Sequence, residues 1–199
     1  METLTNSSSY TYNQLCSKAE TLKVLTYPNP ILRKKSEDVT DFDEGLKEFV
    51  SKMLITMYLA PGIGLAAPQT GLLKKILIID LDYKKEIIEK FSGEDEIQYS
   101  GFNPLVLINP KILSGSGSQK SQEGCLSLPG IYEDVERFSK ITISYQTLSG
   151  ETKMLESDDL QSICIQHEMD HLEGVVFLDH LSRLKKQFYI KKIQKKKRS

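Results

Sequence analysis

Long apolar runs are missing from this chain, cysteine is scarce, and its first twenty residues hold almost no basic side chain. Each shortage excludes something. No apolar stretch approaches the ~20 residues of a membrane span, so a membrane is not expected as a partner. Three cysteines in 199 residues do not make a disulfide framework and point to a reducing compartment, the cytoplasm. Residues 1–20 are rich in Ser, Thr, Asn and Tyr, have no apolar core segment, and carry Lys18 as their only basic residue. They read as neither a secretory nor a transit peptide but as a disordered tail. The length suits one domain with a sizeable core, expected over 21–191 with a short basic tail at 192–199.

Charge is unevenly spread. Nine basic residues and no acidic one lie between Arg183 and Ser199, which leaves 17 basic against 27 acidic residues in the rest. Such a tail is ordinarily a solvated helix face or a frayed end, and no DNA-binding motif accompanies it.

Periodicity supplies the coarse elements. Leu46, Phe49, Val50, Met53, Leu54 and Met57 recur at helical spacing before Pro61-Gly62, which predicts a core-packing helix. The stretches 75–81 and 105–108 are aliphatic and β-branched, as strands are. Residues 82–103 are long and polar and read as an inserted loop or hairpin extension. Ser114-Gly115-Ser116-Gly117-Ser118 has the composition of a flexible linker. Residues 141–145 alternate as a half-buried strand should, and 152–155 return opposite them after a Ser149-Gly150 turn.

The chemistry concentrates in His167-Glu168-Met169-Asp170-His171. Ser157 as N-cap, Asp158 and Asp159 in the first turn and Gly174 as a stop predict a helix through this motif. Residues four apart on a helix lie on one face, so two imidazoles can share one divalent metal while Glu168 moves protons for a bound water. Leu160, Ile163, Cys164, His167 and His171 fall within one stripe roughly 100° wide, with Glu168 toward its edge. Histidines without a partner suit an apolar face poorly, which favours ligation.

A catalytic site of this kind needs three protein ligands and an open position. Downstream, a metzincin's third histidine would stand at 177, which is Phe177, and no Glu follows Glu173 as a thermolysin-like site would need. Asp179 and His180 fit a solvated turn as well as they fit a ligand. The third ligand is therefore expected upstream. Cys125, after Glu123 and Gly124, offers a thiolate, although a buried cysteine is more often a small core residue. Pro61-Gly62-Ile63-Gly64-Leu65-Ala66-Ala67-Pro68-Gln69 lacks the ending of a phosphate loop and closes on an amide side chain.

Together, Gly62-Ile63-Gly64-Leu65-Ala66-Ala67-Pro68-Gln69, Glu123-Gly124-Cys125-Leu126-Ser127 and His167-Glu168-Met169-Asp170-His171 resemble the peptide deformylase family, whose motifs run in this order as G-x-G-x-A-A-x-Q, E-G-C-x-S and H-E-x-D-H. The resemblance extends over 22–191 and includes Tyr27-Pro28-Asn29-Pro30-Ile31-Leu32. It implies an α+β fold in which antiparallel strands wrap a central metal-binding helix, with an N-terminal and a C-terminal helix. It also implies an enzyme that removes the formyl group from formyl-methionyl nascent chains and releases formate.

The family's residue roles follow by the same resemblance. Cys125, His167 and His171 would bind one divalent metal, Fe2+ in the cell, with Zn2+, Ni2+ or Co2+ as substitutes. The cation makes bound water acidic enough to act near neutral pH. Gln69 and the Leu126 N–H would face the oxyanion, and Glu168 would carry the proton from water to the leaving amine. Gly64 would pair with the peptide backbone, and Ile63, Gly124, Leu160, Ile163 and Cys164 would contact substrate. Arg137 would pair with Glu123 and hold the cysteine loop. Ser121 departs from the family, which often has an aliphatic residue on the pocket rim there. By the same resemblance, the basic C-terminal helix would contact ribosomal RNA, through salt-sensitive phosphate contacts of its lysines.

Two rival readings remain at this point: a zincin-type metalloendopeptidase, and a non-catalytic metal-binding or ribosome-associated protein. Cys125 in place of a downstream ligand counts against the first, and the presence of Glu168 and Gln69 against the second.

Overall fold

The computed structural model describes residues 9–89 and 95–196. In chain order the elements are β1 (Tyr10–Thr11), α1 (Tyr12–Lys18), α2 (Glu44–Leu59), β2 (Gly64–Ala66), β3 (Ile76–Ile79), β4 (Lys84–Ile88), β5 (Glu96–Ser100), β6 (Leu105–Ser116), β7 (Gln119–Gly124), β8 (Tyr132–Arg137), β9 (Lys140–Gln146), β10 (Thr152–Asp158), α3 (Asp159–Leu172) and α4 (Arg183–Lys196). Short 3-10 turns cover Pro30–Arg33, Ala67–Thr70 and Phe177–His180. Among the described residues no helix is long and apolar enough to cross a membrane.

An antiparallel sheet in the order β10-β9-β6-β3-β2 forms the centre. Its strand β3 is aliphatic and buried on both faces because both are covered. Leu65, Ile76, Ile78 and Ile108 pack with Val50, Met53 and Met57 of α2. Their neighbours Ala66, Leu77, Ile79 and Leu107 point the other way and pack with Cys164, Ile165 and Leu172 of α3. The period of two thus divides one run of residues between two cores. A smaller cluster of Leu128, Ile131, Val135, Val176, Phe177 and Leu178 joins the β7-β8 hairpin to the chain after α3, with Tyr189 and Ile193 of α4 against it. The class is α+β, with strands wrapped around α3 and helices at both ends.

Helix α2 begins at an Asp43 cap, whose carboxylate accepts the Leu46 N–H at 2.9 Å. Helix α3 begins differently from the sequence expectation. Ser157 is still a strand residue, paired with Ile141, and Asp158 takes the cap position. Ladder pairing to β9 holds Ser157 extended, so the chain turns only at Asp159, where φ is 44°.

Three further expectations are corrected. The Ser114-Gly115-Ser116 part of the supposed linker is the end of β6, paired with Thr142, Ile141 and Lys140. A Cβ at Gly115 would stand 2.6 Å from Phe138 Cδ2, so glycine here admits a ring and does not supply slack. In the supposed tail 1–20, Tyr10 and Thr11 pair with Tyr99 and Gln98 and Leu15 is fully buried; residues 1–8 lie outside the described residues. The boundary drawn at 191 falls inside α4, which continues to Lys196, and 197–199 lie outside the described residues. Within 82–103, β4 and β5 form a hairpin, and β1 extends it to three strands.

Candidate metal centre

Helix α3 lies against the central sheet and turns His167, Glu168 and His171 inward; all three are buried. Cys125 follows β7 directly, so the hairpin delivers the sulfur to the helix from the opposite side. Its Sγ lies 3.2 Å from His171 Nε2. Among the described residues Cys125, His167 and His171 form a cluster whose ligand atoms all lie within 4.8 Å of one another. Ligands ~2.0–2.3 Å from a tetrahedral ion sit roughly 3.3–3.7 Å apart, so the set fits one divalent metal.

The electrostatics fit the same cation. Burial alone would push the Cys125 thiol up, but the imidazoles of His171 and His167 outweigh it and hold it near about 5. Burial likewise opposes charge on His167, yet its contacts with the Cys125 sulfur and Glu123 raise it well above the usual histidine range. A thiolate held here thus recruits positive charge from its neighbours, and a dication between the three ligands would meet that need. His171 Nδ1 and Glu168 Oε2 are buried without a hydrogen-bond partner.

Glu123 orients the first histidine. Its Oε2 accepts from His167 Nδ1 at 2.8 Å, which turns Nε2 toward the sulfur. Arg137, at the end of β8, donates Nε to Glu123 Oε1 at 2.8 Å and Nη2 to Oε2 at 3.0 Å. Its Nη1 reaches Asp170 Oδ2 at 2.6 Å, and His180 Nε2 lies 2.6 Å from the same oxygen. Burial opposes ionisation of both carboxyls, but Arg137 and His167 keep Glu123, and His180 and Arg137 keep Asp170, below the ordinary carboxylate range. One guanidinium therefore clamps the cysteine hairpin to the metal helix.

Gln69 sits in the 3-10 turn after β2 and is 1 % exposed. Its Oε1 accepts the Ala66 N–H at 2.8 Å, which fixes the amide and aims Nε2 at Ser127 Oγ, 3.2 Å away, and Cys125 Sγ, 3.5 Å away. Glu168 reaches under β2, where a Cβ on Gly64 would stand 2.5 Å from Oε1. Burial raises its carboxyl to about 7, with the nearby His167 and His171 pulling the other way.

A cavity of about 440 Å³ opens over these groups. Ile63, Gly64, Gln69, Glu123, Gly124, Cys125, Leu126, Leu160, Ile163, Cys164, His167 and Glu168 all line it. His171 and Arg137 stand behind it. Leu160, expected on the buried stripe, is 49 % exposed and lines the cavity from the first turn of α3. Cys164 is buried, and burial first, then Glu168, pushes its thiol up to about 12, so it stays protonated. Ser121 lies on the cavity wall. A larger cavity, about 540 Å³, lies behind α3 around Phe138, Met169 and His180 and touches none of the ligand atoms.

Sequence reasoning missed Ser127, Asp170 and His180 as members of this network. Asp170 carried no role beyond its motif letter, and His180 read as a solvated turn. Their meeting with Arg137 comes from three elements, and no spacing encodes it.

A family model described as Polypeptide deformylase matches residues 21–187. A peptide deformylase of Erythrobacter litoralis is 44 % identical over 185 residues, which cover 87 % of this chain and 95 % of that protein. A peptide deformylase from Ehrlichia chaffeensis superposes with a TM-score of 0.77 at 35 % identity, over 90 % of this chain and 98 % of that one. One from Synechococcus elongatus, solved in complex with actinonin, gives 0.75 at 40 % identity over 87 % of this chain and 88 % of that one.

Proposed function

The chain belongs to the peptide deformylase family, and on that premise we propose how its residues divide the work. It is a hydrolase that removes the N-formyl group from nascent polypeptides. The family is metal-dependent. In our reading Cys125, His167 and His171 hold one divalent ion. That ion is Fe2+ in the cell, and Zn2+, Ni2+ and Co2+ can stand in, since a thiolate with two imidazoles suits each of them. When bound, such an ion supplies Lewis-acid charge and lowers the pKa of water.

The chain's own groups do the rest. Glu168 takes a proton from the attacking water and passes it to the leaving amine. The Gln69 amide and the Leu126 N–H donate to the oxygen that gains charge. A neutral amide suits this position because it donates without titrating or competing for the metal. The free edge of β2 at Gly64 pairs with the peptide backbone. Ile63, Leu160, Ile163 and Cys164 give the methionine side chain an apolar wall, and Gly124 lines the same cavity and contacts substrate. Glu123 and Arg137 keep His167 and the cysteine hairpin in register. The catalytic unit in this reading runs from β1 through α4, with 82–103 an insertion in it.

The observation that carries the reading is Glu168: a buried carboxyl with one unpartnered oxygen, beside the three-ligand cluster and under Gly64. The endopeptidase alternative is not favoured. Iron-loaded protein, purified without oxygen, should release formate from a formyl-methionyl peptide. Metal-bound protein that releases none would overturn the reading. Glu168→Ala should keep its metal and lose about 10²–10⁴ of turnover.

We also propose that α4 docks on ribosomal RNA and that the enzyme works in the cytoplasm, where new chains emerge. Lys185 and Lys186 are engaged with Glu133 and Asp179, whereas Arg183, Lys191 and Lys192 are exposed. Replacing Lys191 and Lys192 with Glu should abolish low-salt co-sedimentation with ribosomes; retained co-sedimentation would end the proposal.

A further inference from the structure

The β4-β5 hairpin is tied to the catalytic cavity through one tyrosine. Both feet of the hairpin stand on Asp80, which is 1 % exposed. Its Oδ1 accepts the N–H groups of Asp82 at 3.0 Å and Tyr83 at 3.2 Å. Its Oδ2 accepts the Tyr58 hydroxyl at 2.7 Å and the Asn103 N–H at 2.9 Å. Asn103 Nδ2 also donates to Asp82 Oδ2 at 2.8 Å, closing the base. A carboxylate so fully satisfied holds the two strands of the hairpin in one position relative to β3.

From that base the Tyr83 hydroxyl reaches out and donates to the Gly62 carbonyl at 3.1 Å. Its ring is braced edge-on by Tyr58, with centroids 4.8 Å apart. Burial first, then Tyr99 and Asp80, push the phenol up to about 12, so it keeps its proton and remains a donor.

Gly62, Ile63 and Gly64 have little room to move. A Cβ on Gly62 would meet Leu126 Cδ1 at 2.8 Å, and one on Gly64 would meet Glu168 Oε1 at 2.5 Å. The segment thus runs between the residue whose N–H faces the oxyanion and the proton-carrying carboxyl. Besides the pairing of Gly64 with Ile79 in the β2-β3 ladder, three hydrogen bonds among the described residues hold it: Gly62 N–H to Met57 O at 3.0 Å, Asp80 N–H to Ile63 O at 3.0 Å, and Tyr83 to Gly62. Only the last comes from a side chain.

We propose that Tyr83 is a positioning residue for the peptide: its hydroxyl sets the Gly62–Gly64 edge that receives the substrate backbone, and thereby makes the β4-β5 hairpin part of peptide binding. The inference rests on the deformylase reading and deepens it. A bond that places a substrate-pairing edge acts on binding of extended peptides, since Gln69 keeps its own bond to the Ala66 N–H and Glu168 is carried by α3. A substrate with no peptide beyond methionine makes little use of that edge.

The test uses the full-length, metal-loaded enzyme and Tyr83→Phe, which removes one hydroxyl and keeps the ring against Tyr58. For a formyl-methionyl tripeptide the variant should raise KM about three- to tenfold, the value of one hydrogen bond, with kcat within about twofold. For formyl-methionine alone kcat/KM should stay near the native value. Exchange of the Asp80 amide, which bonds Ile63 O, should quicken in the variant. Equal losses on both substrates, or a lower melting temperature with KM unchanged, would reduce Tyr83 to a structural role and overturn the proposal. A native enzyme inactive on both substrates would instead refute the deformylase reading.

Discussion

His167 Nδ1 lies 2.8 Å from Glu123 Oε2, so a ring of the candidate metal cluster on α3 takes its orientation from the strand that precedes Cys125. Glu123 is 5 % exposed and Arg137 7 %, so the pair operates away from water's screening. Glu123→Gln should keep the fold but weaken metal retention about 10–100-fold, measured by chelator competition. Arg137→Ala is harsher, because it removes the bidentate partner of buried Glu123 and one partner of half-buried Asp170. It should lower stability by about 3–5 kcal/mol in chemical denaturation. A Glu123→Gln protein that holds metal as tightly as the native one would show that the contact is incidental.

Gln69 has two separable jobs. Its carbonyl caps the Ala66 N–H, and its Nε2 faces the cysteine loop. Gln69→Ala should cost about 10²–10³ in kcat, the usual loss of one oxyanion donor, while metal content stays at one per chain. A change in KM alone would argue that the amide only binds substrate.

Gly64 is glycine because of what lies beneath it. A methyl group there would stand 2.5 Å from Glu168 Oε1 and 3.0 Å from its Cδ. Gly64→Ala should displace the carboxyl by about 1 Å and cut kcat about 100-fold, with metal content and melting temperature nearly native. Retained turnover would mean that Glu168 does not need its present position.

Asp179 predicts a pH dependence of stability. Burial would raise its carboxyl, but Arg33, Lys186 and the Val176 N–H draw it down to about 2, from 3.8 when unperturbed. A group depressed in the folded state binds its proton more readily when unfolded. Its contribution is therefore complete above pH ~4 and disappears as the pH falls through about 2. The site is partly exposed, so screening reduces the benefit to about 1 kcal/mol. Asp179→Asn should be less stable than the native protein by that amount at pH 7, and the difference should close below pH ~2 in urea titrations. A gap that persists in acid would assign the effect to packing.

Local pattern made some of this legible. His167 and His171 share a face because a helix repeats every 3.6 residues, and that period needs no tertiary contact to be read. The buried stretch of β3 and the alternation in β9 were readable for the same reason. Composition misled where a partner strand decided the outcome. Ser114-Gly115-Ser116 looks like slack, yet β9 pairs with it and Phe138 fills the space above Gly115. Tyr10 to Lys18 looks like tail, yet Tyr10 packs on Phe102 and Leu15 enters the core around α2.

The sequence by itself determined the helix face that presents two imidazoles and a carboxyl, since spacing within one element is enough. It also carried the family, through three short motifs whose joint occurrence is specific. Tertiary structure alone decided that Arg137 reaches Glu123 and Asp170 together, that His180 shares Asp170, and that Tyr83 holds Gly62. The physical reason is that each of these contacts joins separate segments of the chain. Hydrogen bonds of about 3 Å depend on how the sheet and hairpins pack, and no periodicity along the chain records that distance.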